Sequence, residues 1–160
     1  MNVVAHLLAP GDGIPNHPSW PLLIYQRALQ TPAAEDFEAL FEKNGWPAAW
    51  RNGVHGFHHF HPDGHEALGI YSGEVTVLFG GEGGVTVTAV PGDVIVLPAG
   101  TGHKKLSSRG SLGVVGAYPL GSYPGTARRG SGKVPAAAAP LPSRDPVCGA
   151  GGPLFTYWKA

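Results

Sequence analysis

The sequence predicts an all-β protein: a small sandwich or barrel of short strands, with one helix packed outside it. Three features predict it. Between Val54 and about Tyr118, short runs rich in Val, Ile, Phe and Tyr alternate with glycine-containing turns, the pattern of sandwiches and barrels. Among 160 residues, 25 Gly and 16 Pro favour tight turns over long helices. Only one stretch carries a helical period.

Taken in order, the segment from Met1 to Pro10 holds two short apolar pieces interrupted by His6, and Gly11–Pro21 is too rich in Gly and Pro to be regular. Leu22–Ala28 reads as a strand or extended arm. The helix follows, with Thr31 as N-cap, Pro32 at the first helical position, and Glu35 and Asp36 near the positive end of the dipole. Phe37, Leu40 and Phe41 make its apolar face, and Asn44-Gly45 stop it. Strands are predicted at 56–61, 66–72, 75–79, 85–90, 94–97, 104–106 and 112–118. Between them lie Pro62-Asp63-Gly64, Gly73-Glu74, Gly80–Gly84, Pro91-Gly92-Asp93 and Pro98–Gly102. Gly121–Pro142, loaded with Gly, Ala, Pro and Ser, reads as a long meandering and partly mobile loop. Leu154–Trp158 reads as a final strand or an anchor against the body. The expected organisation is one domain: 1–52 as arm and helix, 53–120 as the barrel core, and 121–160 as loop and closing strand.

Composition bounds the function. Formal net charge is zero, so no basic face for nucleic acid is expected. No run approaches the roughly 18 apolar residues of a membrane helix, and Met1–Pro10 lacks the basic lead and apolar stretch of a signal peptide. Cys148 is the single cysteine, so no internal disulfide forms. A cytoplasmic protein is the expectation.

The chemistry concentrates in GVHGFHHFHPDGHE (53–66). His59 and His61 are two apart on a predicted strand and share a face. After the Pro62-Asp63-Gly64 turn, Glu66 can present a carboxylate to the same space, and His103 follows a second turn. If the strands close, three imidazoles and one carboxylate converge. That donor set suits Fe, Mn, Zn, Ni or Cu, with positions left for water or substrate.

Gly53-x5-His59-x-His61-x4-Glu66-x6-Gly73 resembles the first cupin motif, and Gly92-x5-Pro98-x-Gly100-x2-His103 resembles the second. Ser107 stands where the family usually has Asn. FEKNGW (41–46), WRNGVHGFHHFH (50–61), HEALG (65–69), PAGTGH (98–103) and VVGAYP (114–119) are similar to small bacterial single-cupin proteins of the YjlB type. The resemblance implies a double-stranded β-helix, the cupin jelly-roll barrel. It implies one divalent transition metal on His59, His61, Glu66 and His103, and a homodimer.

Other residues have competing readings. His58 alternates to the opposite face, on the surface or in packing. His65 sits at the turn and could exchange with Glu66 as a ligand. His55 shares the inward parity of His59 and either lines the pocket mouth or lies in an exposed loop. Lys105 shares the parity of His103; it is either solvated or a pocket cation favouring an anionic substrate. Tyr71 and Tyr118 are core or pocket wall. Three function classes remain: a metal-dependent enzyme on a small molecule (a dioxygenase with Fe, an isomerase or lyase with Zn or Mn), a non-catalytic small-molecule or metal-binding sensor, and a scaffold with an idle site.

Overall fold

Four apolar runs, LLIY, EALGI, VIVL and VVGA, are buried on both faces, and this places everything else. The computed structural model describes residues 1–132 and 139–160. Its elements are β1 (Asn2–His6), β2 (Leu22–Gln26), α1 (Ala34–Lys43), β3 (Ala48–Asn52), β4 (His59–Phe60), β5 (Glu66–Phe79), β6 (Val85–Ala89), β7 (Val94–Leu97), β8 (His103–Ala117), β9 (Ala127–Arg128) and α2 (Leu154–Tyr157). All strand pairings are antiparallel, in the order β1-β2-β7-β5-β8-β4-β9, with β3 also on β8 and β6 also on β5.

The first half of β5 lies between β7 and the end of β8, and its second half between β6 and the start of β8. Strand alternation then sorts the side chains. Leu23, Tyr25, Ala67, Val94, Val96, Val115 and Ala117 face α1, where Phe37 and Phe41 pack on them. Leu22, Ile24, Leu68, Ile70, Ile95, Leu97 and Val114 face the other way and meet Val75, Val77, Phe79 and Ala89 from the second half. The sheet thus folds over a second core. Among the described residues no pairing closes it into a barrel.

Several expected boundaries shift. The segments 66–72 and 75–79 are one strand, as are 104–106 and 112–118. Gly73, at φ 71°, takes the bend in β5 through register shifts instead of ending the strand. The predicted strand 56–61 reduces to His59–Phe60, while β1, β3 and β9, not expected, add to the sheet. The helix begins at Ala34, not Pro32. Asp36 accepts a hydrogen bond from the Ala33 N–H at 2.8 Å, so the acidic side chain closes the first turn without a Thr31 cap. Leu154–Tyr157 is a short helix, not a strand, yet it anchors the tail as expected. Trp158 is buried, stacks on Trp20 at 5.3 Å, and donates its indole N–H to the Pro21 carbonyl.

Asp145 holds this tail. It is fully buried and accepts from the Tyr25 hydroxyl at 2.6 Å and from the backbone N–H groups of Val147, Cys148 and Leu154. Burial and the Asp145 charge raise the Tyr25 pKa far above its usual value. The loop expected over 121–142 contributes β9 beside β4; its part at 133–138 lies outside the described residues. Among the described residues, no helix is long and apolar enough to cross a membrane.

Candidate metal centre

The two-residue strand β4 exists because of its neighbours. His59 pairs with His103 of β8 on one side and Arg128 of β9 on the other, and Phe60 packs outward against Ile14 and Ala127. With Phe60 turned away, His59 and His61 turn inward. Gly100, at φ 90°, gives its N–H to the His61 carbonyl at 2.8 Å, which ties the two turns together. Asn16, from the irregular N-terminal segment, accepts from the Gly102 N–H and donates to the Gly80 carbonyl, bracing the approach to His103. Glu66 opens β5 on the same face as Leu68 and Ile70.

Nitrogens of the buried His59, His61 and His103 all lie within 4.8 Å of one another. Glu66 Oε1 is 3.3 Å from His61 Nε2 and 3.4 Å from His103 Nε2. On the far side of each ring, Nδ1 meets a backbone carbonyl: Phe57 for His59 (2.9 Å), Gly125 for His61 (2.9 Å) and Thr101 for His103 (3.1 Å). A carbonyl only accepts, so each Nδ1 carries the hydrogen, and the neutral ring turns an Nε2 lone pair inward. The Glu66 Oε1 oxygen is buried without a hydrogen-bond partner. Lone pairs facing a carboxylate oxygen are held together only by a cation between them: a proton on one ring, or one metal ion for all four. Nitrogens on one ion at about 2.1 Å sit roughly 3–4 Å apart, within a side-chain adjustment of what is seen.

The electrostatics agree. Burial, reinforced by the neighbouring His103 and His61, drives His59 down to about 3, so its ring stays neutral. At His61 burial pushes the same way, but the Glu66 carboxylate more than offsets it and the net shift is upward. Burial would raise Glu66, and His61 and His103 outweigh it, holding the carboxyl below its usual range. Burial, then the Glu66 charge, lifts Tyr118 to about 12.

A cavity of about 360 Å³ opens onto these groups, lined also by Trp50, Asn52, Gly53, Val54, His55, Leu68, Lys105, Tyr118 and Thr126. His55, Lys105 and Tyr118 therefore face the site. Tyr71 does not. It stands an odd number of residues from Glu66 on β5, so alternation sends it to the helix side, against the α1 core and over Gly113. His65 is not an alternative ligand. Its Nδ1 accepts from the Ala99 N–H, its Nε2 donates to the Pro140 carbonyl, and its ring lies beside Trp20 and Trp158. His58 takes the face opposite His59, as its parity predicts. It is buried beside Glu82 at 2.8 Å, in an outer cluster where Arg129 binds Asp12.

Trp50, Asn52, Gly125 and Thr126 were not anticipated. Trp50 donates its indole N–H to the Tyr118 hydroxyl at 3.0 Å. Its strand was missed because Ala48–Asn52 has no apolar alternation to mark it. Gly125 sits in a stretch whose composition signals only a loop.

A mostly antiparallel sheet that gathers three buried imidazoles and one buried carboxylate defines a β-protein with a candidate metal centre. No family model matches the chain. It is 39% identical over 157 residues to YjlB of Bacillus subtilis (strain 168), an uncharacterised protein, covering 93% of each. The chain belongs to the YjlB family. Among solved structures, a DUF861-family protein from Thermotoga maritima matches with 25% identity and a TM-score of 0.34, over 54% of this chain and 92% of that one.

Proposed function

We propose that this is a metal-dependent cupin, with a jelly-roll arrangement of its folded-over sheet. One divalent transition metal binds His59, His61, Glu66 and His103, and a small molecule in the adjoining pocket is transformed by dioxygenase-like or isomerase-like chemistry. The observation that carries this is the partnerless Glu66 Oε1 oxygen facing imidazole nitrogens whose other sides are all tethered to carbonyls. Such outer hydrogen bonds orient ligating histidines and fix their tautomer. A bound Fe, Mn, Zn, Ni or Cu ion would supply Lewis acidity, or redox chemistry if the metal is iron.

The chain's own groups do the rest. Trp50, Val54 and Leu68 give the pocket apolar lining, and Asn52 and Lys105 offer polar contacts to a substrate. Tyr118, held by the Trp50 indole and kept protonated through neutral pH, can donate a hydrogen bond into the pocket. A catalytic reading is preferred to an idle scaffold because the cavity opens directly on the inward-facing imidazoles.

Elemental analysis of purified protein tests the reading. The expected result is close to one transition-metal ion per chain, lost in His61→Ala and His103→Ala while far-UV circular dichroism stays unchanged. Protein that takes up no transition metal after chelator stripping and reloading, or variants that keep the full complement, would overturn it.

A further inference from the structure

Among the described residues, Lys105 has no ion-pair partner. It stands two residues beyond His103 in a regular stretch of β8, opposite Val77, so both side chains project to one side. It lines the same cavity and is half-buried. Its backbone N–H is fixed by the His55 carbonyl at 2.9 Å. Its neighbour Lys104 points the other way, where its charge acts on Glu82 outside the pocket. No acidic side chain among the described residues forms an ion pair with Lys105. Withdrawing a charged group from water is costly unless a partner arrives.

Glu66 is the sole carboxylate in the cavity lining. Its single negative charge is committed to the imidazole side. A divalent ion would leave the pocket positive even before Lys105 is counted. Trp50, Val54 and Leu68 add apolar lining to the same cavity, and Asn52 adds an amide. At about 360 Å³ the cavity lies at the small end of the range for ligand pockets, about 300–1,000 Å³.

We infer that the pocket selects a small carboxylate with a short apolar body, and that Lys105 binds its acid group. The inference rests on the metal-centre reading for its chemistry, but the lysine's part can be measured separately.

The test is calorimetric binding of three shape-matched pairs that differ in charge: acetate with acetamide, pyruvate with pyruvamide, and benzoate with benzamide. Each is run on zinc-loaded and on EDTA-stripped protein, in the parent, Lys105→Met and Lys105→Arg. The parent should bind at least one acid roughly 10–100-fold more tightly than its amide. Lys105→Met should abolish that preference in the stripped protein and reduce it in the zinc-loaded protein with metal content unchanged, and Lys105→Arg should keep most of it. No acid preference in the parent, a preference that Lys105→Met leaves undiminished, or loss of metal in Lys105→Met overturns the inference. If the parent takes up no metal, the metal-centre reading fails, and the stripped arm still decides: a preference there that needs Lys105 upholds the carboxylate site, and its absence removes it.

Discussion

Glu66 and His61 face each other across the Pro62–Gly64 turn with 3.3 Å between Oε1 and Nε2, while the other nitrogen of that ring is committed to the Gly125 carbonyl. Glu66→Gln keeps the shape and replaces the anionic oxygen with a neutral amide. Metal affinity should fall by more than the roughly 10–100-fold seen when an outer-shell partner is lost. Titration against a chromophoric chelator measures it, and unchanged affinity would remove Glu66 from the ligand set.

Two glycines are seats for aromatic rings on opposite faces of the sheet. A Cβ at Gly116 would fall 2.0 Å from Trp50 Cε2, and one at Gly69 would fall 2.6 Å from Phe37 Cγ. Gly116→Ala and Gly69→Ala should each cost about 1–3 kcal/mol by overpacking, measured by urea unfolding. The near-UV circular dichroism of tryptophan should change mainly in Gly116→Ala, since only that substitution displaces an indole. Equal spectral change in both would contradict the two-faced packing.

Asp145 accepts four hydrogen bonds, one of them from Tyr25. Tyr25→Phe leaves three donors in place and should cost about 1–3 kcal/mol. Asp145→Ala strands all four donors and should cost more. It should also open the C-terminal segment to limited proteolysis, whereas Tyr25→Phe leaves that segment protected.

Acid should weaken the N-terminal segment through His17. Its Nδ1 accepts the N–H groups of Ser19 and Trp20, its ring stacks on Trp20 at 4.6 Å, and burial lowers its pKa from 6.5. Below pH 6.5 the unfolded chain therefore binds more protons than the folded one. The stability this group contributes is present above pH 6.5 and lost as pH falls toward the folded value. His17→Asn retains a side-chain acceptor for the turn without a titrating group. The urea midpoint of the parent should drop more than that of His17→Asn between pH 7.5 and 5; parallel behaviour would show that His17 does not drive the acid limb.

That His59, His61, Glu66 and His103 gather was legible from strand parity, two turns and the motif spacing, on the condition that the strands fold back on one another. The same parity rule, carried from Glu66 along β5, would have turned Tyr71 away from the pocket. The helix face was legible from Phe37, Leu40 and Phe41, but its start was not, because Asp36 rather than Thr31 closes the first turn. Gly73 signals a break in one dimension and accommodates a bend in three, so one strand reads as two. Trp50, Gly125 and Thr126 were hidden for a different reason. Their place around the site depends on long-range pairings, β3 on β8 and β9 on β4, that no local pattern encodes.

The proposed metal centre is complete only with the pairing of His59 with His103 and the Gly125 carbonyl behind His61. A ribosome-bound chain that has emerged only as far as Glu66 carries two imidazoles and a carboxylate, but neither the third imidazole nor the backbone oxygen that sets the orientation of His61. The complete cage exists only after the later strands have returned to β4. On the metal-centre proposal, loading would then follow translation, and the ion would be the one available to the finished fold rather than the first one the growing chain meets.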